Sequence, residues 1–189
     1  MSPYKDIPND AIVTYSGRII RPLNPDPNQI DLSDIAHALS NQCRFTGHTR
    51  EFYSVAQHSV LVSYECDPED ALWGLLHDAS EAYLSDIARP IKRFTDWGDG
   101  YGDVEASLMD AVVEAFQLPY FEPFPQGAEM PYSVKQADDL LLRTEMRDLM
   151  PDGVEDTLPG DTLEGELVCW TPKDAKLAYL ERFYEITDS

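Results

Sequence analysis

The feature that most constrains the fold is a histidine and an aspartate standing side by side at the end of an apolar run. The run covers residues 71–76 and leads into His77, Asp78 and, three residues later, Glu81. Its composition predicts a buried helix. Burying a charged group is costly unless the group is paired or bound to a metal. Because residues three and four apart are neighbours on a helix, Glu81 is predicted to lie one turn along, beside the pair.

Two further polar residues interrupt patterns that are otherwise apolar and helical. His58 lies within residues 54–62, and Asp138 lies within residues 134–140. Two imidazoles and two carboxylates suit a divalent transition metal, and we expect Zn, Co or Mn, with Mg or Ni left open. An isolated His-Asp pair is also compatible with a hydrogen-bonded core histidine. The sequence predicts a single metal ion with four protein ligands: His58, His77, Asp78 and Asp138.

The ordered set H…HD…D in a helical chain resembles the HD-domain metal-dependent phosphohydrolases. The closer resemblance is to their 5′-deoxynucleotidase branch, which includes phage dATP triphosphohydrolases. One position departs from that branch, since Phe45 stands where tryptophan is frequent. The matching segments, spread over roughly residues 35–150, are Arg44-Phe45 and residues 54–59, 77–81, 86–92 and 135–138.

This resemblance implies a fold and a reaction. The fold would be an all-α HD-domain bundle, to which the sequence adds a short N-terminal β-hairpin at residues 11–20. The reaction would be hydrolysis of a phosphate ester or anhydride bond in a 2′-deoxynucleotide, either a monophosphate or a triphosphate such as dATP. The branch forms dimers or larger rings, so we expect a homo-oligomer, either a dimer or a hexamer.

Catalytic and substrate-binding roles follow from position and from the resemblance. Glu81, beside the central pair, is the predicted group that orients or deprotonates the attacking water. Asp86 is the second predicted catalytic residue, and the resemblance implies that it contacts the nucleotide. The resemblance also favours Asp138 over the adjacent Asp139 as the last ligand. It also implies that the substrate site includes basic and aromatic residues near the centre. The predicted substrate-binding residues are Arg44, Phe45, His48, Arg89 and Lys92.

Composition narrows the choice of partners. The 189 residues suit one domain, residues 1–189 with a core at roughly 31–150. A formal net charge of −21 disfavours a nucleic-acid polymer as partner, because that requires a basic surface. To bind an anionic nucleotide, this acidic protein would need a local basic cluster and a metal that make the electrostatic field at the site positive. The residues that supply this predicted cluster are Arg44, Arg50, Arg89, Lys92 and Arg93.

We expect a cytoplasmic protein, in a bacterium or a phage-infected host. The first residues carry no basic stretch followed by an apolar one, and no run of about 18 apolar residues exists. The three cysteines, Cys43, Cys66 and Cys169, lack CxxC spacing and are predicted to be free thiols.

Element boundaries are predicted from caps and breakers. Asp31 or Ser33 caps a first helix, Ser54 caps a second, and a third runs from Asp67 to about Leu84. The glycine-rich residues 95–102 are predicted to form a loop before a helix that starts at Asp103. Further loops are predicted at residues 119–131 and 151–165, and a last helix beginning near residue 170 should dock on the core.

Two alternatives to an enzyme stay open. One is a metal-binding helical regulator that senses a nucleotide without turnover, which would keep the metal ligands but have no need of Glu81. The other is a purely structural helical domain, for which the four ligand positions would be coincidence. No P-loop, GxSxG or Rossmann glycine pattern occurs in the sequence, so other nucleotide-enzyme classes lack support.

Overall fold

The computed structural model describes residues 7–119 and 130–188, except for the side chains of Arg93 and Asp99. Most of the loop predicted at 119–131 therefore lies outside the described residues. The described part of the chain is mainly helical, as predicted. Its α-helices are α1 Leu32–Asn41, α2 Val55–Glu65, α3 Ala71–Leu76, α4 Glu81–Leu84, α5 Arg89–Phe94, α6 Asp96–Phe116, α7 Tyr132–Leu149 and α8 Pro172–Thr187. Short 3-10 turns lie at Pro27–Gln29, Arg44–Gly47, Pro68–Asp70 and Glu155–Thr157.

The predicted hairpin is present near the N-terminus. Strand β1 (Ile12–Val13) pairs antiparallel with β2 (Ile19–Ile20), with Ile12 opposite Ile20. Asp34, buried on α1, accepts hydrogen bonds from Thr14 Oγ1 at 2.7 Å and from the Ser16 amide at 2.6 Å. The hairpin is therefore fastened to the helical body by a buried carboxylate.

Helix α2 lies at the centre of the bundle and packs against α1, α3, α7 and α8. It begins at Val55 because the Ser54 hydroxyl accepts a hydrogen bond from the Gln57 amide. Its side chains are buried on most faces, polar ones included. His58, which belongs to this helix, is fully buried. A histidine in such a position needs a partner for each ring nitrogen.

The C-terminal helix α8 docks on the core, as predicted. Thr171 caps it by accepting from the Asp174 amide. Its buried Tyr179 donates a hydrogen bond to the Leu75 carbonyl at 2.8 Å, next to the central motif. The hydrophobic core thus also includes Ala175 and Tyr179, which lie beyond residue 150.

The prediction of one continuous third helix that reaches Leu84 is wrong. Helix α3 ends at Leu76, and residues 77–80 form a turn before α4 begins at Glu81. Within this turn the Ala79 amide donates to the Leu76 carbonyl and the Glu81 amide to the Asp78 carbonyl, which are tighter i to i−3 bonds. The His77 ring hydrogen-bonds to the Gly74 carbonyl, which the amide of residue 78 would use in a continuing helix.

The prediction of a loop at residues 95–102 is also wrong. Helix α6 begins at Asp96, because the Thr95 hydroxyl accepts from the Gly98 amide and caps it. Tyr101 in the same stretch is buried and donates to the Ser85 carbonyl at 2.7 Å. Tertiary packing and a cap therefore override the low helix propensity of the glycines. No helix in the described ranges is both long and apolar enough to cross a bilayer.

Candidate metal centre

Two helices and a turn bring the predicted ligands together. His58 comes from the first turn of α2, His77 and Asp78 from the turn after α3, and Asp138 from α7. One ligand atom from each of His58, His77 and Asp138 lies within 4.8 Å of the other two. The structure therefore contains a candidate metal-binding triad made of three of the four predicted ligands.

Asp78 faces the same two imidazoles. Its Oδ2 atom lies 3.3 Å from His77 Nε2 and 3.9 Å from His58 Nε2. The Oδ1 atom of Asp138 lies 3.3 Å from His58 Nε2. Two imidazole nitrogens thus face two carboxylates across a small volume, which is the donor set expected for a divalent transition metal.

Hydrogen bonds at the other ring nitrogen orient each histidine. His77 Nδ1 lies 2.8 Å from the Gly74 carbonyl, and His58 Nδ1 lies 2.6 Å from Glu145 Oε1. A carbonyl or carboxylate oxygen only accepts, so Nδ1 carries a proton, and in the neutral ring Nε2 presents its lone pair. Both Nε2 atoms are buried and have no hydrogen-bond partner among the described residues. A cation would satisfy both atoms, so the residues fit a metal ion.

The electrostatics of the cluster favour added positive charge. Burial lowers the pKa of His77, but the neighbouring Asp78 carboxylate more than offsets this and raises it to about 9. Burial likewise opposes ionisation of Asp138, yet the His58 and His77 imidazoles hold the pKa of its carboxyl far below the ordinary value. Both shifts arise from the attraction between the imidazoles and the carboxylates that face them.

Beside the triad, Glu81 is the acid that the sequence placed next to the central pair. It is buried, and its Oε2 atom has no hydrogen-bond partner in the described ranges. Its Oε1 atom lies 3.5 Å from Lys92 Nζ, which donates to Glu105 Oε1 at 2.8 Å. Burial, followed by the charges of Asp78 and Asp86, raises the pKa of Glu81 well above its ordinary value.

Arg44 lies on the other side of Asp78. Its Nη1 atom is 3.7 Å from Asp78 Oδ2. Its Nε and Nη2 atoms both donate to Glu145 Oε2, at 3.1 and 3.0 Å. The arginine is largely buried, so its charge acts on the cluster through little solvent.

Sequence comparison shows which known proteins are similar to this chain. It is 36% identical over 184 residues to the Escherichia coli protein YfdR, covering 94% of this chain and 96% of that protein. The chain belongs to the YfdR family. It is also 37% identical over 139 residues to the Rhodobacter capsulatus protein RCAP_rcc00048, covering 69% of this chain and 68% of that protein. Both relatives are named as uncharacterized proteins, and the sequence matches no protein-family model.

In this YfdR-family chain, Glu145 is a site residue that sequence reasoning missed. It is fully buried and contacts both His58 and Arg44. A signal for it was available, because Glu145 follows Asp138 by seven residues on α7. Seven residues make two helical turns, so the two acids share a face that also buries Leu141.

Gln42 was also missed, and no pattern in the sequence marks it. Its side-chain amide donates to the Glu81 carbonyl at 2.9 Å, while its Oε1 accepts from the Asp86 amide at 3.2 Å. It thereby fixes the backbone at both ends of α4. Asp86 is half-buried, and burial raises the pKa of its carboxyl.

The predicted substrate-binding residues lie at different depths. Arg44 and Lys92 border the cluster, and the Phe45 ring lies 5.7 Å from the Arg44 guanidinium. His48 and Arg89 are exposed, and no hydrogen bond or ion pair joins their side chains to the cluster within the described residues. Contact of any of these residues with a substrate stays a prediction.

Proposed function

We propose that this protein is a metal-dependent phosphohydrolase of the HD-domain type that acts on 2′-deoxynucleotides. The single observation that carries the proposal is the convergence of two buried histidine Nε2 atoms, without partners among the described residues, on the Asp138 carboxylate. Burying two unsatisfied nitrogens beside carboxylates costs stability, and a bound cation removes that cost.

Four side chains would hold the ion: His58, His77, Asp78 and Asp138. The nitrogen and oxygen donors suit Zn, Co or Mn, and Mg or Ni remain alternatives. Held there, a divalent ion would supply a lower pKa for a coordinated water and polarisation of a phosphoryl oxygen. The Gly74 carbonyl and Glu145 fix the two imidazoles from behind, as partners of metal-bound histidines commonly do.

The remaining site residues would handle the water and the phosphate. With a cation bound nearby, which favours the ionised carboxylate, Glu81 would orient the attacking water and take its proton through Oε2, the oxygen that has no partner in the described ranges. Arg44 offers its Nη1 edge, and Lys92 its ammonium, to the charge that develops on the phosphoryl oxygens. These two cations supply the local positive field that a chain of net charge −21 needs to bind an anion.

The substrate class is drawn from the resemblance to the deoxynucleotidase branch. A deoxynucleoside monophosphate and water would give the deoxynucleoside and phosphate. A deoxynucleoside triphosphate such as dATP would give the deoxynucleoside and triphosphate, or phosphate released stepwise. Asp86 would contact the nucleotide, and Phe45 provides an aromatic ring beside Arg44.

A screen of deoxynucleoside mono-, di- and triphosphates with Mn, Co, Zn or Mg tests the proposal. We expect metal-dependent release of phosphate or triphosphate from at least one of them. Asp138→Asn should abolish metal binding and turnover, whereas the adjacent Asp139→Asn should retain both, because Asp138 and not Asp139 converges with the two histidines.

A nucleotide sensor without turnover is the competing function. It would bind metal and nucleotide and release no product from any member of the screen. Failure of the purified protein to bind any of the metals would contradict both functions.

A further inference from the structure

We propose that Glu145 is a positioning residue which, anchored by Arg44, sets the metal-facing nitrogen of His58. This inference rests on the proposed function, because it assumes that His58 is a metal ligand. It concerns a carboxylate that lies behind the ligands and touches neither metal nor substrate.

The two oxygens of Glu145 have different partners. Oε1 accepts from His58 Nδ1 at 2.6 Å, while Oε2 accepts from Arg44 Nε and Nη2 at 3.1 and 3.0 Å. Both Glu145 and His58 are fully buried, and Arg44 is largely buried. No water competes at such a site, so the geometry of one group is transmitted to the next.

This arrangement requires a group with two acceptor oxygens. The hydrogen bonds from His58 and from Arg44 both come from N–H donors, so a carboxylate satisfies both sides at once. A glutamine has the same shape but only one acceptor oxygen, and its other end donates. With its oxygen on the two guanidinium N–H groups, its NH2 group would face His58 Nδ1 and require that nitrogen to accept.

The consequence falls on the opposite side of the imidazole. If Nδ1 accepts, the proton of the neutral ring moves to Nε2, the nitrogen that faces Asp78 and Asp138. A protonated Nε2 has no lone pair for a metal. Glu145 thus selects which tautomer of His58 the cluster contains. Arg44 holds the Glu145 carboxylate in the orientation that this selection requires.

The test compares the metal affinity of Glu145→Gln with that of the wild-type chain. We expect the affinity for Zn or Mn, measured by competition with a chelator, to fall by about 10- to 100-fold. Asp34→Asn is the matched control, because Asp34 is also a buried carboxylate with several donors but lies at the hairpin. It should lose stability in thermal unfolding and keep the wild-type metal affinity.

A second measurement needs no variant. In the zinc-loaded wild-type protein labelled with 15N, the imidazole of His58 should be protonated at Nδ1 and metal-bound at Nε2. A metal-bound Nδ1 would overturn the inference, even if Glu145→Gln failed to fold.

The outcomes separate the inference from the proposed function. Equal metal affinity in wild type and Glu145→Gln would overturn the inference and leave the hydrolase proposal standing. Equal losses in Glu145→Gln and Asp34→Asn would also overturn it, because the effect would then be general destabilisation. A wild-type chain that binds no metal would overturn both.

Discussion

At the scale of single residues, the site is a set of polar atoms divided between those with partners and those without. His58 and His77 each have a hydrogen-bonded Nδ1, yet their Nε2 atoms lack hydrogen-bond partners among the described residues. In Glu81, the Oε1 atom lies 3.5 Å from Lys92 Nζ, and the Oε2 atom has no hydrogen-bond partner among the described residues. The atoms without partners are the ones predicted to meet metal and water, so stability is given up where chemistry would occur.

Replacing Glu81 by glutamine tests its predicted role directly. Glu81→Gln keeps the size of the side chain but removes the group that would take the proton of water. We expect kcat to fall by about 100-fold or more, within the usual range for acid–base groups. Metal content, measured by elemental analysis, should stay at the wild-type level. Asp110→Asn, at an exposed position of α6, serves as control, and wild-type turnover in Glu81→Gln would remove Glu81 from the mechanism.

The sequence predicted some of these residues and not others, for a physical reason. A polar residue inside an apolar run, such as His58 or His77, is conspicuous because burying it needs an explanation. The convergence of His58 and His77 with Asp138 is confirmed. Gln42 contacts a residue 39 positions away in the chain, and Glu105 contacts one 13 positions away. No local sequence pattern therefore marks either residue.

At the scale of elements, the short helix α5 carries Lys92 and is held by α6. Gly98 lies in the first turn of α6, where a Cβ atom would overlap the backbone carbonyl oxygens of Ile91 and Lys92. The absence of a side chain therefore allows α6 to approach the backbone of α5 closely. The same approach brings Glu105 of α6 to Lys92 and leaves Lys92 beside Glu81.

Substituting Gly98 should disturb the site without touching a site residue. Gly98→Ala is expected to push α5 away from α6 and raise KM, because Lys92 moves from its place beside the cluster, while metal affinity is kept. Gly100→Ala is the matched control, since a Cβ there meets nothing within 4 Å. It should keep wild-type kinetics and gain up to about 1 kcal/mol in stability from helix propensity. Unchanged KM in Gly98→Ala would show that Lys92 does not depend on this contact.

Element boundaries were predictable where a cap decides them. Asp31 and Ser54 cap α1 and α2, as the sequence predicted. The end of α3 was not predictable, because the turn at residues 77–80 is set by i to i−3 bonds and by a side chain bonded to a carbonyl. The start of α6 was missed because glycines that favour a loop in isolation here serve close packing.

At the scale of the whole molecule, the charge distribution has to be reconciled with the anionic substrate that we propose. The chain carries 35 acidic and 14 basic residues. Two of those basic residues, Arg44 and Lys92, border the cluster and are largely or partly buried, where solvent screens them less than at the surface. The acidic surroundings would repel a phosphate group in the absence of a metal. The proposed function therefore requires the ion for substrate binding as well as for turnover.

The most direct test of the central claim is anomalous diffraction from crystals grown with Mn or Zn. We predict one anomalous peak per chain, about 2.0–2.3 Å from His58 Nε2, His77 Nε2 and a carboxylate oxygen of Asp138. A well-diffracting crystal that shows no anomalous peak between these side chains, or shows them turned away from one another, would contradict it.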